Sequence, residues 1–562
     1  MGTLDWIVIA AFFLALIGII IWVVSQKQND SADYFLGGRD ATWIAIGASI
    51  FASNIGSEHL IGLAGAGASS GMAMAHWEIQ GWMILILGWV FVPFYTRSMV
   101  YTMPEFLERR YNPQSRTILS IISLVSYVLT KVAVTVYAGG LVFQQVFGIK
   151  ELWGIDFFWI AAIGLVLLTA LYTIFGGMKS VLYTSVLQTP ILLLGSLVIL
   201  VLGFKELGGW DEMIQICGAV TVNDYGDSMT NLIRSNADPN FPWLGALIGS
   251  SIIGFWYWCT DQFIVQRVLS GKNEKEARRG TIFGAYLKLL PVFLFLIPGM
   301  IAFALHQKYI GDGGFLPMLA NGNPNADAAF PTLVAKLLPA GMKGLVVCGI
   351  LAALMSSLAS LFNSSAMLFT IDFYKRFKPQ TSEKKLVLIG QMATVVIVIL
   401  GILWIPIMRS VGDVLYTYLQ DVQSVLAPGI AAAFLLGICW KRTSSQGGMW
   451  GLLSGMIIGL TRLGAKVYYS NVTDASDNIF KYLFYDMNWL FFCGWMFFFC
   501  MIVVILVSLS TEAPSAEKIQ GLVFGTSTPE QKAATRASWD HWDIIHSVII
   551  LGITAAFYWY FW

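Results

Sequence analysis

Long apolar segments dominate this sequence and restrict what it can fold into. Mean hydropathy is +0.70, and 57% of the 562 residues are apolar whereas 12% are charged. A soluble domain carries about 25% charged residues, and a helix that crosses a bilayer uses roughly 20 apolar residues. The composition therefore predicts an all-α polytopic membrane protein. It excludes a soluble enzyme, a nucleic-acid binder and a disordered scaffold, and a porin-type barrel would show short alternating segments instead.

Fourteen segments are apolar and long enough to be membrane spans. We place them at residues 6–25, 41–65, 80–101, 119–147, 155–175, 183–203, 243–266, 281–305, 344–372, 385–407, 414–439, 446–464, 485–508 and 544–562. No basic residue precedes the first segment, and no small-residue cleavage site follows it. We therefore expect a retained first helix rather than a signal peptide.

The distribution of positive charge predicts the orientation of these spans, because cytoplasmic connections are rich in Lys and Arg. With the N-terminus outside, about two thirds of the 34 Lys and Arg residues fall in cytoplasmic connections or at their span ends, and only Lys131 and Lys288 lie more than four residues inside a span. We expect a multi-pass protein of a cell membrane or a bacterial inner membrane, with both termini extracytoplasmic.

Polar residues interrupt the second predicted span. Asn54 and His59 lie there beside Gly56 and Gly62. Glycine weakens a helix, and unwound backbone at membrane depth is tolerated where it lines a cavity. Close packing of helices through small residues is the alternative, but it does not explain Asn54 and His59. We expect a broken helix here.

Two charged residues are further candidates for a polar cavity within the membrane. Lys288 lies about two turns inside its span, where it either donates into a cavity or extends to the interface. Glu78 precedes a span and is either its partner or an ordinary interfacial carboxylate. Lys131 has no evident partner, and we expect its role to be structural.

Hydroxyl and aromatic clusters mark two other spans. Ser356 and Ser357 share a helix face, and hydroxyls with backbone carbonyls suit a monovalent cation; hydrogen bonds between helices are the alternative. Tyr257 and Trp258 belong to an aromatic cluster that could stack on the C–H faces of a sugar, although an interfacial belt is possible. Gln420 adds an amide on another span.

At these residues the chain resembles the sodium/solute symporter family, and within it the sodium/glucose cotransporter branch. The segments that carry the resemblance are 52–64 (ASNIGSEHLIGLA), 256–267 (WYWCTDQFIVQR), 286–291 (YLKLLP), 354–369 and 418–428. The resemblance implies one transporter domain over residues 1–562. Within it, 6–25 is an extra N-terminal helix, 41–439 is a LeuT-like core of five plus five helices in inverted repeat, and 446–562 holds three additional helices.

The resemblance also implies roles for individual residues, none of them catalytic. One sodium ion would be bound by backbone oxygens of Ala52, Ile55 and Ala353 and by the hydroxyls of Ser356 and Ser357. The solute would be bound by Asn54, His59, Glu78, Tyr257, Trp258, Lys288 and Gln420, and the gates would be Leu63, Trp77, Tyr257 and Tyr416.

Two positions depart from the family pattern. Ser185 stands where members with a second sodium site have an acidic residue, so we expect one sodium ion per sugar. Trp77 stands where the sugar branch has a smaller aromatic residue, so the outer gate would fit a different hexose.

We therefore expect a sodium-coupled symporter that imports a glucose- or galactose-type monosaccharide by alternating access, with sodium as the co-transported ion. The alternative is a symporter of myo-inositol or another small solute. No nucleic acid and no obligatory protein partner are expected. A channel or a sensor would lack concentrative uptake, and an enzyme is disfavoured because no GxSxG motif, HExxH motif or carboxylate pair lies within a predicted span.

Overall fold

The computed structural model describes residues 2–26, 30–56, 58–319, 322–409, 415–470, 472 and 478–562. The α-helices are Thr3–Ser25, Ser31–Leu36, Trp43–Asn54, Ala64–Ser70, Ala75–Glu78, Gly81–Ile86, Val92–Ser98, Met103–Arg110, Pro113–Ser126, Ala133–Phe147, Phe157–Leu207, Trp210–Gly218, Trp243–Phe255, Gln262–Leu269, Glu274–Lys288, Ile297–Lys308, Ala329–Leu337, Met342–Met367, Lys375–Phe377, Glu383–Arg409, Leu415–Cys439, Ser445–Ser470, Ile479–Lys481, Trp489–Ser510, Ala516–Ile519, Pro529–Ala537 and His541–Tyr560. Segments of π-helix are Glu58–Leu63, Leu87–Phe91, Tyr127–Val132, Trp256–Thr260, Val292–Leu296, Leu368–Tyr374 and Tyr482–Asp486.

Short 3-10 turns and one small hairpin complete the described structure. The 3-10 turns are Gly37–Arg39, Gly71–Met74, Ile310–Asp312 and Ala326–Ala328. Strands Glu151–Leu152 and Ile155–Asp156 pair antiparallel. The chain is thus an all-α protein.

Within the described ranges, nine helical stretches have the length and apolar composition needed to cross a membrane. They are Thr3–Ser25, Glu58–Ser98, Phe157–Leu207, Glu274–Lys308, Met342–Phe377, Glu383–Pro406, Gln420–Cys439, Trp489–Ser510 and His541–Tyr560. The stretch Phe157–Leu207 covers two predicted spans, and the other four correspond to Trp43–Asn54, Ala133–Phe147, the interrupted stretch 243–269 and Ser445–Ser470. Each of the fourteen predicted spans therefore has a helical counterpart.

The connection between the predicted spans 155–175 and 183–203 differs from expectation. No loop separates them, because the helical hydrogen bonding continues past a sharp bend at Gly177, where φ is 52° and ψ is −146°. Glycine adopts such a positive φ without steric cost. A Cβ atom at this position would also lie 2.4 Å from the carbonyl oxygen of Tyr34. A bend at a single glycine thus connects the two spans where a polar loop would otherwise be needed.

Two helices are interrupted where they approach each other. The helix Trp43–Asn54 ends abruptly, and helical structure resumes at Glu58–Leu63. The stretch 243–269 is interrupted at Asp261, whose backbone is extended (φ −76°, ψ 128°). The first interruption confirms the broken second span. Helix ends leave backbone groups without helical partners, so both interruptions place polar backbone inside the apolar bundle.

Candidate functional site

A cavity of about 60 Å³ lies where the two interrupted helices meet. Its wall combines charged, amide, hydroxyl and aromatic side chains from spans that are far apart in sequence. The lining residues are Asn54, Glu58, His59, Trp77, Glu78, Gln80, Lys131, Val134, Thr135, Ile253, Gly254, Tyr257, Trp258, Phe263, Lys288, Ser357, Leu361, Gln420 and Gln423. All seven side chains predicted to bind solute belong to this wall.

A buried ion pair forms one side of the cavity. Lys288 Nζ donates to Glu78 Oε2 at 2.6 Å, and the two side chains are 4% and 1% exposed. His59 Nε2 lies 3.4 Å from the same oxygen, and Asn54 Nδ2 lies 3.3 Å from His59 Nε2. Removing one member of a buried pair leaves an uncompensated charge. The interfacial interpretations of Glu78 and Lys288 are therefore wrong, and their predicted pairing is confirmed.

Aromatic rings cover two other sides of the cavity. Tyr257 packs edge-on against Trp258 with 4.9 Å between centroids, and Lys288 Nζ lies 5.3 Å from the Trp258 ring. Trp77 stacks on Trp489 at 5.5 Å, and its buried indole nitrogen has no hydrogen-bond partner in the described structure. Aromatic rings in the wall of one cavity are suited to pack against the faces of a cyclic solute.

The other two predicted gate residues do not contribute in the same way. Leu63 is fully buried and does not belong to the cavity wall. Tyr416 lies in the helix Leu415–Cys439, but its side chain is outside the part of the structure that is described. The amide Oε1 of Gln420 is buried in the wall without a hydrogen-bond partner among the described residues.

The predicted sodium ligands lie on two neighbouring helices. Ala52 is in the last turn of Trp43–Asn54, and Ile55 follows that helix directly, so carbonyls at this end lack helical partners. Ala353, Ser356 and Ser357 lie on the unbroken helix Met342–Met367. All five residues are buried, and of these Ser357 also lines the cavity.

A hydroxyl contact joins the two helices one turn beyond Ser356. Ser53 Oγ lies 2.6 Å from Ser360 Oγ. Ser185 Oγ donates to the carbonyl oxygen of Val181 at 2.6 Å and lies 3.3 Å from Ser356 Oγ. The environment of Ser356 therefore holds neutral oxygen atoms, which are the ligands that a hard monovalent cation prefers.

Three charged residues near the cavity were absent from the predicted site. Lys131 Nζ lies 2.6 Å from Asp261 Oδ2, so the lysine with no evident partner is paired. Glu58 lines the cavity, and its buried Oε2 has no hydrogen-bond partner among the described residues. The signal was present in the sequence, because opposite charges inside membrane spans pair with one another, but Asp261 lies close to a predicted span end.

Comparisons with known proteins identify relatives of this chain. A model of the sodium:solute symporter family matches residues 34–455. Sodium/myo-inositol cotransporter 2 of Mus musculus and of Homo sapiens are each 38% identical to the chain, covering 93% of it and 79% of their own length. The sodium/myo-inositol cotransporter of Canis lupus familiaris is 37% identical over 93% of this chain and 75% of its own.

Solved structures share the fold at lower identity. A Na⁺-coupled sialic acid symporter in its substrate-bound outward-open state superposes with a TM-score of 0.73 and 22% identity, covering 92% of this chain and 99% of the other. The nucleobase-cation-symport-1 transporter Mhp1 superposes with a TM-score of 0.52 and 14% identity over 91% and 99%. The LeuT-like architecture is therefore shown.

Proposed function

Because this chain belongs to the sodium:solute symporter family, we propose that the solute it moves together with sodium is a cyclic polyol of the myo-inositol type. The chain is an integral membrane transporter, and sodium is its co-transported ion. Relatives that are 38% identical over most of the chain are sodium/myo-inositol cotransporters, which favours inositol over the hexose expected from the sequence.

The observation that carries the proposal is the buried Glu78–Lys288 pair in a wall that also holds aromatic rings. A ring polyol presents several vicinal hydroxyls and apolar C–H faces. Glu78 and Gln420 would accept hydrogen bonds from hydroxyls, whereas Lys288 and Asn54 would donate, and bonds to charged groups are the stronger ones. Tyr257 and Trp258 would pack against the ring.

The aromatic residues at the cavity wall suggest where the gates of this proposal lie. We propose that Trp77, with Leu63 and Tyr416, closes the outer side and that Tyr257 closes the inner side. Both termini would be extracytoplasmic in a cell or bacterial inner membrane.

Sodium would bind at Ala52, Ile55, Ala353, Ser356 and Ser357, beside the solute cavity. Coupling requires that each ligand bind one conformation better than the other. Because Ser357 belongs to both sites and the solute residue Asn54 ends the helix of Ala52, sodium binding would shape the solute site. The neutral Ser185 supports one sodium ion per solute, and each 100 mV of membrane potential adds about 2.3 kcal/mol per charge.

Tracer uptake into proteoliposomes tests the solute. Purified protein would be supplied with labelled myo-inositol, galactose or glucose, under an inward sodium gradient or with potassium in its place. We expect sodium-dependent concentrative uptake of myo-inositol. Uptake of a hexose alone would contradict the proposed solute. The solute would then be the hexose expected from the sequence, bound by the same residues.

A further inference from the structure

Lys131 lies in an aromatic cage at the wall of the cavity. It belongs to the π-helical segment Tyr127–Val132, and its Nζ lies 2.6 Å from Asp261 Oδ2. Four ring centroids surround the same nitrogen, those of Tyr257 and Phe263 at 4.8 Å, Tyr127 at 5.0 Å and Trp256 at 5.3 Å. Aromatic faces attract a cation most strongly when it is shielded from water, and the lysine side chain is 8% exposed.

The partner of Lys131 lies at the interruption of the helical stretch 243–269. Asp261 caps the helix Gln262–Leu269, because its carboxylate accepts from the backbone N–H of Phe263. Tyr127 donates its hydroxyl proton to the same carboxylate, and its oxygen accepts from the Phe263 N–H at 3.0 Å. The segment Tyr127–Val132 of a neighbouring span therefore contacts residues on both sides of this interruption.

Resting on the proposed function, in which Tyr257 closes the inner side of the cavity, we propose that Lys131 and Asp261 are positioning residues for that inner gate. Their ion pair fixes the interruption against Tyr127–Val132, and the caged ammonium holds the Tyr257 ring in place beneath the solute. Separating two charges is unfavourable in a dry, low-dielectric cavity and much less so once water enters. The ion pair thus stabilises the closed inner gate, and its two charges separate more easily once water enters from the cytoplasmic side.

Four variants test this pairing in proteoliposomes: Lys131→Met, Asp261→Asn, the double variant Lys131→Met/Asp261→Asn, and the reversed pair Lys131→Asp/Asp261→Lys. Two quantities are measured per mole of protein, the solute accumulation ratio and the sodium influx without solute. We expect the first three variants to lose at least about tenfold in accumulation and to gain sodium influx severalfold. The reversed pair should recover part of both, because the attraction between the two positions is retained.

A second ion pair, on the helix Pro113–Ser126 that continues directly into Tyr127–Val132, provides the matched control. Arg116 Nη2 lies 2.7 Å from Asp372 Oδ1, and neither residue belongs to the cavity wall. Asp372→Asn should lower the amount of folded protein without raising sodium influx per mole. A single variant of the Lys131–Asp261 pair could fail to fold because it leaves one charge buried without a partner. The double variant removes both charges, so it still tests the proposal in that case.

Access from the inside supplies a readout that does not depend on the solute. Thr135 lines the cavity one turn beyond Lys131, whose carbonyl it contacts at 2.8 Å. A membrane-impermeant thiol reagent applied to the cytoplasmic face should label Thr135→Cys severalfold faster in the double-variant background, after subtraction of labelling without that cysteine. Unchanged labelling and unchanged sodium influx would overturn the proposal even if accumulation fell. Both readouts hold whether the solute is inositol or a hexose, so failure of the solute assignment remains separate.

Discussion

Charged side chains inside the membrane were the most informative residues in this sequence. Lys288 could be assigned to a cavity because a lysine two turns inside a span needs a partner, and the structure provides Glu78 at 2.6 Å. Lys131 follows the same rule, but its partner Asp261 is separated by 130 residues and lies at a helix interruption that apolar composition does not reveal. The existence of buried pairs was predictable, and the choice of partner depended on the fold.

Replacing Lys288 tests whether the Glu78–Lys288 pair binds solute. Lys288→Ala leaves the Glu78 carboxylate buried without its cation, and breaking such a pair costs about 3–5 kcal/mol. We expect the KM for sodium-driven uptake to rise roughly 100-fold or more, whereas Lys288→Arg should retain part of the activity. Lys343→Ala, at a half-buried residue that is not part of the cavity wall, is the control. Full activity of Lys288→Ala would exclude this role.

Removing a hydroxyl from the proposed sodium site should weaken sodium binding selectively. Loss of one oxygen ligand is worth about 1–2 kcal/mol, so Ser356→Ala should raise the sodium concentration for half-maximal uptake roughly tenfold. The hydroxyl of Ser365 on the same helix has no hydrogen-bond partner in the described structure, so Ser365→Ala should leave that concentration unchanged. Equal responses of the two variants would indicate helix packing instead of ion binding.

At the scale of helices, interruptions were predictable where polar residues accompany glycine and were missed elsewhere. The polar sequence around Asn54 indicated the first interruption, and the structure ends the helix at that residue. Gly177 lies between two predicted spans, where a polar residue such as Lys179 is as typical of a loop as of a sharp bend. The structure continues the helical hydrogen bonding through this connection. The bend depends on contact with Tyr34, a residue distant in sequence.

Close contact between two helices should make Gly299 intolerant of any side chain. A Cβ atom at Gly299 would lie 2.0 Å from the carbonyl oxygen of Ala64, and small residues allow such approach between membrane helices. Gly299→Ala should destabilise the protein by about 1–3 kcal/mol, seen as a lower temperature for loss of the monodisperse peak in detergent. Gly164 has open space around it, so a similar decrease for Gly164→Ala would contradict the explanation.

For the whole molecule, the number of spans and the family were accessible from the sequence because hydropathy and the placement of Lys and Arg repeat along the entire chain. The solute was not, because a hexose and myo-inositol are both rings with several neighbouring hydroxyls. We expect discrimination between them to depend on small displacements of side chains such as Trp77 and Gln420. Relatives at 38% identity therefore favour the alternative solute over the one first expected.

The number of sodium ions moved per solute is a property of the whole transporter. Ser185 leads to a specific expectation for that number. Its neutral hydroxyl donates to a backbone carbonyl 2.6 Å away and supplies no charge for a second cation. We expect a ratio of one sodium ion per solute, measured from the reversal potential at several solute gradients. A ratio of two would contradict this expectation and require a second sodium site elsewhere.

Solute-driven sodium movement is the most direct test of coupling through the Glu78–Lys288 cavity. Binding linkage is reciprocal, so an inward myo-inositol gradient should drive labelled sodium into proteoliposomes that have equal sodium on both sides and a clamped potential. Lys288→Ala should abolish this movement. Sodium entry that is the same with and without a myo-inositol gradient would contradict sodium-coupled transport of this solute.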